Sequence, residues 1–118
     1  MPETIYSRNQ AVSQIAFEKV SNRQGKPEEE QYGRFAKSFP CLIHTCGLTQ
    51  ALAYADAKKH KEYLEDLAKV LNQKNADAMM KASREKQVTE YLRFSRDAIN
   101  AAGWLKRYAE AMLKGADE

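Results

Sequence analysis

Glycine and proline are scarce in this chain, with five and three residues among 118. A β-sheet protein places these residues at its many tight turns, so their scarcity favours an all-helical fold. Long apolar runs are missing as well. Residues 1–10 hold none, which argues against a secretion signal, and Pro40 and Gly47 interrupt the uncharged residues 38–55. We therefore predict no membrane-spanning segment and interpret residues 38–55 as the centre of a core.

Cysteine is nearly absent, since the chain holds only Cys41 and Cys46. With His44 they offer three soft ligands, but their spacing does not match a zinc finger, which uses two Cys-x-x-Cys-like pairs. They also lack the cationic or helix-terminus setting that activates a catalytic cysteine. We predict no metal site, no cofactor, and two free, buried thiols in a reducing cytoplasm.

Other catalytic signatures are also missing. No Glu-x-x-His occurs, which excludes the di-iron helix bundle, and no Gly-rich loop precedes a Lys-Ser or Lys-Thr pair, which excludes a phosphate-binding loop. The sequence predicts no catalytic residues and no small-molecule substrate. An enzyme that uses the Cys41, His44 and Cys46 cluster is the alternative, and a metal assay on the purified protein tests it.

Apolar residues recur at helical spacing along most of the chain. A first helix is predicted over residues 3–22 and ends before Gly25. Pro27 suits the first position of a second helix, which the glutamates at residues 28–30 favour through the helix dipole. Pro40 is expected to end this helix, because a proline disfavours helical backbone in the residue before it. Its inward face is formed by Tyr32, Phe35, Ala36 and Phe39.

Gly47 separates this helix from the next part of the chain. We expect residues 41–46 to form a short turn that Gly47 caps in a left-handed conformation. Two apolar stripes follow, Leu48, Ala51, Leu52 and Ala55 and then Leu64, Leu67, Ala68 and Leu71. Since they are offset by roughly 150° around one helix, a break is predicted at residues 58–61. A polar turn at residues 72–75 and a short helix at residues 76–84 come next.

The longest predicted helix covers residues 88–113. One face of it carries Val88, Tyr91, Leu92, Ser95, Ile99, Ala102, Leu105, Ala109 and Met112. Gly103 indicates close approach of another helix, and Trp104 beside it is expected to be largely buried. The predicted fold is a single all-α domain of residues 1–118, a compact bundle of about five to six helices.

Positive and negative charges nearly balance, with 19 Lys and Arg against 16 Asp and Glu and a net charge of +3. A nucleic-acid surface therefore requires clustering of the cations. Cations interleaved with Tyr, Trp and Phe gather at residues 58–61, at Arg93 and Arg96, and at Lys106 and Arg107. This interleaving is typical of single-stranded RNA binding, although a helical core with a solvated charged face produces it too.

Two blocks of the sequence resemble a known family. The first consists of Tyr32, Lys37, Pro40, Ile43, the run Gly47-Leu48-x-Gln50-x-Leu52-Ala53-Tyr54, and Ala57-Lys58. The second consists of Asp97-Ala98-Ile99, Trp104-Leu105-Lys106-Arg107-Tyr108-Ala109 and Ala111-Met112-Leu113-Lys114. Together, and in this order, they resemble the small subunit of the type III-B CRISPR effector, the fifth protein of the Cmr complex.

The resemblance implies a small, all-helical, non-catalytic subunit of an antiviral ribonucleoprotein. In this family, copies stack head to tail as a minor filament beside the backbone subunits and help to hold target RNA against the guide RNA. The backbone subunit cleaves the RNA. The implied partners are other Cmr subunits, further copies of the chain, and the guide and target RNA. The small subunit of the type III-A effector is the alternative.

Six cations are the candidate RNA-binding residues. They are Lys37, Lys58, Arg93, Arg96, Lys106 and Arg107. The first two and the last two of this series lie inside the matching blocks, and the two arginines between them lie beside the second block. Arg8 is a further candidate. We expect these residues to contact phosphates without regard to base sequence.

Overall fold

Helices build the whole described part of the molecule. The structure is a computed structural model and describes residues 8–116, which form six α-helices and no β-strand. The helices are α1 (Arg8–Ser21), α2 (Glu29–Cys46), α3 (Leu48–Ala57), α4 (Lys61–Val70), α5 (Ala76–Glu85) and α6 (Val88–Met112). The predicted all-α bundle is confirmed in fold class and in helix number. The part of the first helix predicted over residues 3–7 lies outside the described residues.

The antiparallel pair of α2 and α6 forms the centre of the bundle. The end of α6 lies at the start of α2, where the Lys114 amide donates to Glu29 at 2.9 Å. The start of α6 lies near Gly47, where a Cβ atom would be 3.8 Å from the Tyr91 hydroxyl. The helix α1 packs on α6 and α4, while α3 and α4 pack on α2 and are covered by α5. The helix α6 is thus held on two sides, by α1 and by α2.

The predicted apolar stripes of α2, α3 and α4 face the core. Every member of the first two stripes is buried, and in the third stripe only Leu71, the residue after α4, is partly exposed. The predicted break between α3 and α4 is also confirmed: Lys59 has a left-handed φ of 64°, and helical backbone resumes at Lys61. Asn75 begins α5 after the polar turn by accepting the Ala78 amide at 2.8 Å.

The prediction that Pro40 ends the second helix is wrong, because α2 continues through it to Cys46. A proline inside a helix lacks the amide that would bond the carbonyl four residues earlier, a loss that costs stability. Burial on both sides offsets this loss, since Phe39 is fully buried and Ile43 is 3% exposed. Pro27 is not the first helical residue either, because α2 begins at Glu29.

Gly47 joins α2 directly to α3. Its φ of 85° confirms the predicted positive value, but its ψ of 161° is extended rather than left-handed helical, a region that essentially only glycine occupies. The residue before α3 is Gly47, which has no side chain that could accept a capping hydrogen bond from this helix. The hydroxyl of Tyr91 in α6 replaces that cap by accepting the Thr49 amide at 3.3 Å. The Thr49 hydroxyl and amide together lower the pKa of Tyr91.

The prediction of buried cysteines is wrong, since Cys41 and Cys46 are both free and exposed. Residues 41–46 are the last part of α2 rather than a turn, so their side chains follow the helical period. Ile43 takes the inward position, and His44 points to solvent together with the cysteines. The uncharged segment therefore divides between core and surface.

The inward face of α6 is rotated from the predicted one. Its buried residues are Phe94, Ala98, Ala101, Ala102, Leu105 and Ala109. Val88 and Leu92, expected to face the core, are 75% and 56% exposed. Trp104 is partly rather than largely buried, and a Cβ atom at Gly103 would meet only the Arg107 guanidinium, at 3.7 Å. The close helix approach predicted at Gly103 is therefore wrong.

A buried carboxylate joins α4 to α2 and to the turn after α1. Arg23 donates to both oxygens of Asp66 at 3.0 Å, and the Tyr32 hydroxyl donates to the same group at 2.6 Å. The hydrogen bond with Asp66 raises the pKa of Arg23, while burial and then the Asp66 charge raise the pKa of Tyr32. This network has no signature in the sequence, because its three members belong to different segments.

The turn after α6 is seated on the start of α2. The Glu29 carboxylate accepts the amides of Gly25 and Lys114 at 3.0 and 2.9 Å, and these bonds, that of Lys114 first, lower the pKa of Glu29. Two glycines make the contact close. A Cβ atom at Gly33 would lie 2.6 Å from the Lys114 carbonyl oxygen, and one at Gly115 would overlap the Glu30 carbonyl oxygen. The acidic helix start thus also fixes the carboxyl end of the bundle.

His60 makes the stability of this fold depend on pH. Its ring stacks on Phe35 with centroids 3.7 Å apart, and burial lowers its pKa below the ordinary 6.5 against a smaller opposing effect of Glu62. The unfolded chain then binds the proton more readily, so the free energy of unfolding should rise with pH from the lowered pKa up to about 6.5. Urea unfolding across this range checks the prediction. His60→Phe should flatten this rise, and an unchanged rise in that variant would contradict the prediction.

Candidate nucleic-acid interface

Three of the candidate cations share the outer face of α6. At about 100° per residue, Arg93, Arg96 and Arg107 fall within about 60° of one another, opposite the buried Ala98 and Leu105. All three arginines are exposed. They extend over about 21 Å of the helix axis. We call these three residues the arginine stripe; its spacing suits phosphates spread along a strand rather than a single anion.

Arg107 is held against an aromatic cluster at the α1–α6 contact. Its guanidinium carbon lies 5.1 Å from the Trp104 ring centroid, and Trp104 stacks on Tyr108 at 5.8 Å with an interplanar angle of 25°. Phe17 of α1 meets Tyr108 edge to face at 5.4 Å. The Tyr108 hydroxyl is also hydrogen-bonded to Ser13, at 2.6 Å. The position of Arg107 is therefore restrained by packing.

Arg93 lines a shallow depression of about 200 Å³ at the start of α6. Lys86 lies in the same depression, with its ammonium 5.3 Å from the Phe94 ring centroid, and Glu90 and Asp97 complete it. Sequence reasoning missed Lys86 as a neighbour of Arg93. Lys86 precedes the predicted helix, and only the fold of the α5–α6 connection brings the two together. The depression holds charges of both signs.

Lys37 and Lys106 do not belong to the arginine stripe. Lys106 lies about 100° around α6 from Arg107 and is partly buried. Lys37 is on α2 and is also partly buried. The helices that carry these two lysines, α2 and α6, pack on each other and run antiparallel.

Lys58 is placed on a different surface from the arginine stripe. It follows the last residue of α3, at the opposite end from the Thr49–Tyr91 contact that links α3 to α6. Its ammonium lies 5.8 Å from the ring centroid of Tyr54, which is 48% exposed. The fold thus brings together three of the six candidates and separates Lys58 from them. The side chain of Arg8 lies outside the described part of the chain.

The described residues offer no arrangement typical of a catalytic centre. Between positions 8 and 116 there is no group of three or more His, Cys, Asp or Glu side chains that could hold a metal ion. A depression of about 300 Å³ between α1, α4 and α6 is lined by Val12, Leu71, Asn100 and one acid, Asp97, among others. No helix in this part of the chain combines the length and hydropathy that a membrane crossing requires.

Comparison with known proteins shows which family shares this sequence and this fold. Residues 8–112 match the family described as CRISPR-associated protein (Cas_Cmr5). The CRISPR system Cmr subunit Cmr5 of Thermus thermophilus is 35% identical over 111 residues, which cover 92% of this chain and 97% of that protein. The crystal structure of a CRISPR-associated Cmr5 family protein from the same organism superposes with a TM-score of 0.87 at 35% identity, covering 91% of this chain and 97% of the other. With a family match that spans all six described helices and a relative similar along almost its whole length, this chain belongs to the Cmr5 family of CRISPR-associated proteins.

Proposed function

We propose that this chain is the non-catalytic small subunit of a type III-B CRISPR Cmr effector that acts in antiviral defence. The observation that carries this proposal is the 35% identity to a Cmr subunit along 97% of that subunit's length. The same similarity favours the type III-B interpretation over the type III-A alternative. The candidate site supports it too, since it is an exposed cationic surface that suits binding rather than a cleft that suits catalysis.

The partners follow from membership of such a complex. They are the other Cmr subunits, among them the backbone subunit, and further copies of this chain stacked head to tail. A head-to-tail contact is heterologous and extends into a filament instead of closing into a dimer. The exposed Val88 and Leu92 at the start of α6 supply apolar area for a protein neighbour. The two free thiols suit the reducing cytoplasm, where we place the complex.

The role we assign to the chain is to hold target RNA against the guide RNA through its cations. Lys37, Lys58, Arg93, Arg96, Lys106 and Arg107 remain the proposed contacts, with the arginine stripe as the main one. Each copy offers few phosphate contacts and binds weakly alone. Stacked copies on one strand raise the effective concentration of these contacts, so that the assembled complex retains RNA that one copy releases.

Charge reversal in the arginine stripe tests this role. Arg93→Glu with Arg96→Glu should lower target RNA retention by the assembled complex. If both arginines contact phosphates, the slope of log affinity against log salt should become shallower by about 1.4, at about 0.7 per lost contact with a single strand. Filter binding across a salt series measures both effects. The fold should be unaffected, because both side chains are exposed.

A matched control lies on α5, where Lys81 and Arg84 are also exposed and three residues apart. Lys81→Glu with Arg84→Glu makes the same change of charge away from the stripe and should retain RNA as the unmodified protein does. The role is refuted if neutralising all six candidates in a correctly assembled complex leaves RNA affinity unchanged at every salt concentration. The chain would then serve only as a scaffold.

A further inference from the structure

A continuous series of ring contacts crosses from α1 to α6 and ends in a cation. Phe17 meets Tyr108 edge to face, Tyr108 stacks on Trp104, and the Arg107 guanidinium lies over Trp104. We call these four residues the ring ladder. Its two outer members reach solvent: Phe17 is 47% exposed and Arg107 is exposed, whereas Trp104 and Tyr108 are partly buried between them. Exposure of a phenylalanine ring to water is unfavourable, and the packing of Phe17 on Tyr108 removes only part of that ring from water.

We propose that the outer members of the ring ladder, Phe17 and Arg107, stack unpaired bases of single-stranded RNA. This inference rests on the proposed function and adds a second kind of contact to it. Aromatic faces and guanidinium planes both accept a stacked base, and this contact tolerates any base sequence. The hydrogen bond of Tyr108 to Ser13 and the stack of Trp104 on Tyr108 hold the ladder rigid before RNA arrives, which reduces the entropy lost on binding.

The surrounding charge favours RNA over a protein as the occupant. Arg107 belongs to both the ring ladder and the arginine stripe, and Arg96 follows about 16 Å further along the same face of α6. A strand can therefore place phosphates on the arginines while its bases turn towards the rings. Glu18 beside Phe17 and Glu110 one turn beyond Arg107 are exposed acids that would repel phosphates, which leaves the arginines as the phosphate contacts. Stacking on the faces of the bases gives affinity without sequence specificity.

Trp104 is the only tryptophan of the chain, so its fluorescence reports on the ladder. The experiment titrates the full-length protein, at low salt, with single-stranded oligoadenosine and with an abasic oligomer of equal length. Oligoadenosine should quench the fluorescence, and the abasic strand should quench it far less at equal saturation. Phe17→Ala should weaken oligoadenosine binding about tenfold, the effect of losing one stacked base, and leave abasic binding unchanged.

Tyr54→Ala is the matched control. Tyr54 is 48% exposed and has Lys58 over its ring, so it resembles Phe17 in exposure and has a neighbouring cation, but it lies outside the ladder. Since Lys58 is a proposed phosphate contact, which does not depend on a base, Tyr54→Ala should change oligoadenosine binding and abasic binding by the same factor, unlike Phe17→Ala. Thermal melts verify that both variants fold.

The outcomes separate this inference from the proposed function. If Arg93→Glu with Arg96→Glu weakens binding of both oligomers while Phe17→Ala changes neither, phosphate contact stands and base stacking is refuted. Equal quenching by the two oligomers refutes stacking as well. If Phe17→Ala instead prevents assembly with the other Cmr subunits, the ladder is a protein contact. If neither oligomer binds the single chain at low salt, base stacking is refuted, whereas the RNA-holding role is decided by the charge-reversal experiment in the assembled complex.

Discussion

Replacing Asp66 with alanine should lower the free energy of unfolding by about 3–5 kcal/mol, the range found when one partner of a buried ion pair is removed. Asp66 is buried and accepts three hydrogen bonds, two from Arg23 and one from Tyr32. Without it, the Tyr32 hydroxyl loses its acceptor inside the core. The side chain of Arg23 is 20% exposed and can turn towards water, which places the effect at the lower end of this range. Urea unfolding monitored by circular dichroism measures the loss.

Two tyrosine variants separate the hydrogen bond from the ring. Tyr32→Phe should cost about 1–3 kcal/mol, because it removes a bond to a buried charged acceptor. Tyr63 packs against Tyr32 at 5.7 Å between centroids, but its buried hydroxyl has no hydrogen-bond partner among the described residues. Burial also raises its pKa. Tyr63→Phe should therefore be neutral or stabilising. Equal losses in the two variants would contradict the assigned role of Asp66.

Alanine at Gly33 should destabilise the protein by about 1–3 kcal/mol, the usual cost of overpacking. Alanine is the better helix former, so a helix considered alone would gain stability. In α2, however, the new Cβ atom would lie 2.6 Å from the Lys114 carbonyl oxygen and 3.1 Å from the Ala116 amide nitrogen. Both are backbone atoms, and relief requires the turn after α6 to move away from α2. The Glu29–Lys114 hydrogen bond opposes that movement.

Gly103 provides the matched control in α6. The same substitution there meets only the Arg107 guanidinium, at an ordinary contact distance of 3.7 Å. Gly103→Ala should therefore raise the stability by about 0.5–1 kcal/mol, the helix preference of alanine over glycine. Thermal melts of the two variants should thus shift in opposite directions. A stabilising Gly33→Ala would mean that residues 113–116 are not seated on α2 as described.

The Gly33 contact also affects the candidate site. The arginine stripe and the ring ladder both depend on the position of α6, and α6 is fixed by α1 on one side and by α2 on the other. The Gly33 contact anchors its carboxyl end, close to Trp104 and Arg107. A variant that loosens this end should weaken the proposed RNA contact of Arg107 more than the proposed contact of Arg93.

The sequence by itself determined the parts of this fold that depend on local pattern. The inward stripes of α2, α3 and α4 follow from helical spacing of apolar residues. The break before Lys61 follows from the offset between two of those stripes, and the polar turn before α5 from its composition. Family resemblance rests on motifs that are also local. Of the candidate site, the sequence supplied the cations and their spacing along the chain.

Only the tertiary structure decided what depends on contacts between distant segments. Pro40 would destabilise an isolated helix, but burial of Phe39 and Ile43 offsets that cost, and α2 continues past Pro40. That continuation turned Cys41 and Cys46 outwards. The face of α6 was set by its packing on α1 and α2, which left Val88 and Leu92 exposed and gathered the arginine stripe on the opposite side from the core. Local spacing records which residues can share a face; the free energy of packing between helices selects the face that is buried.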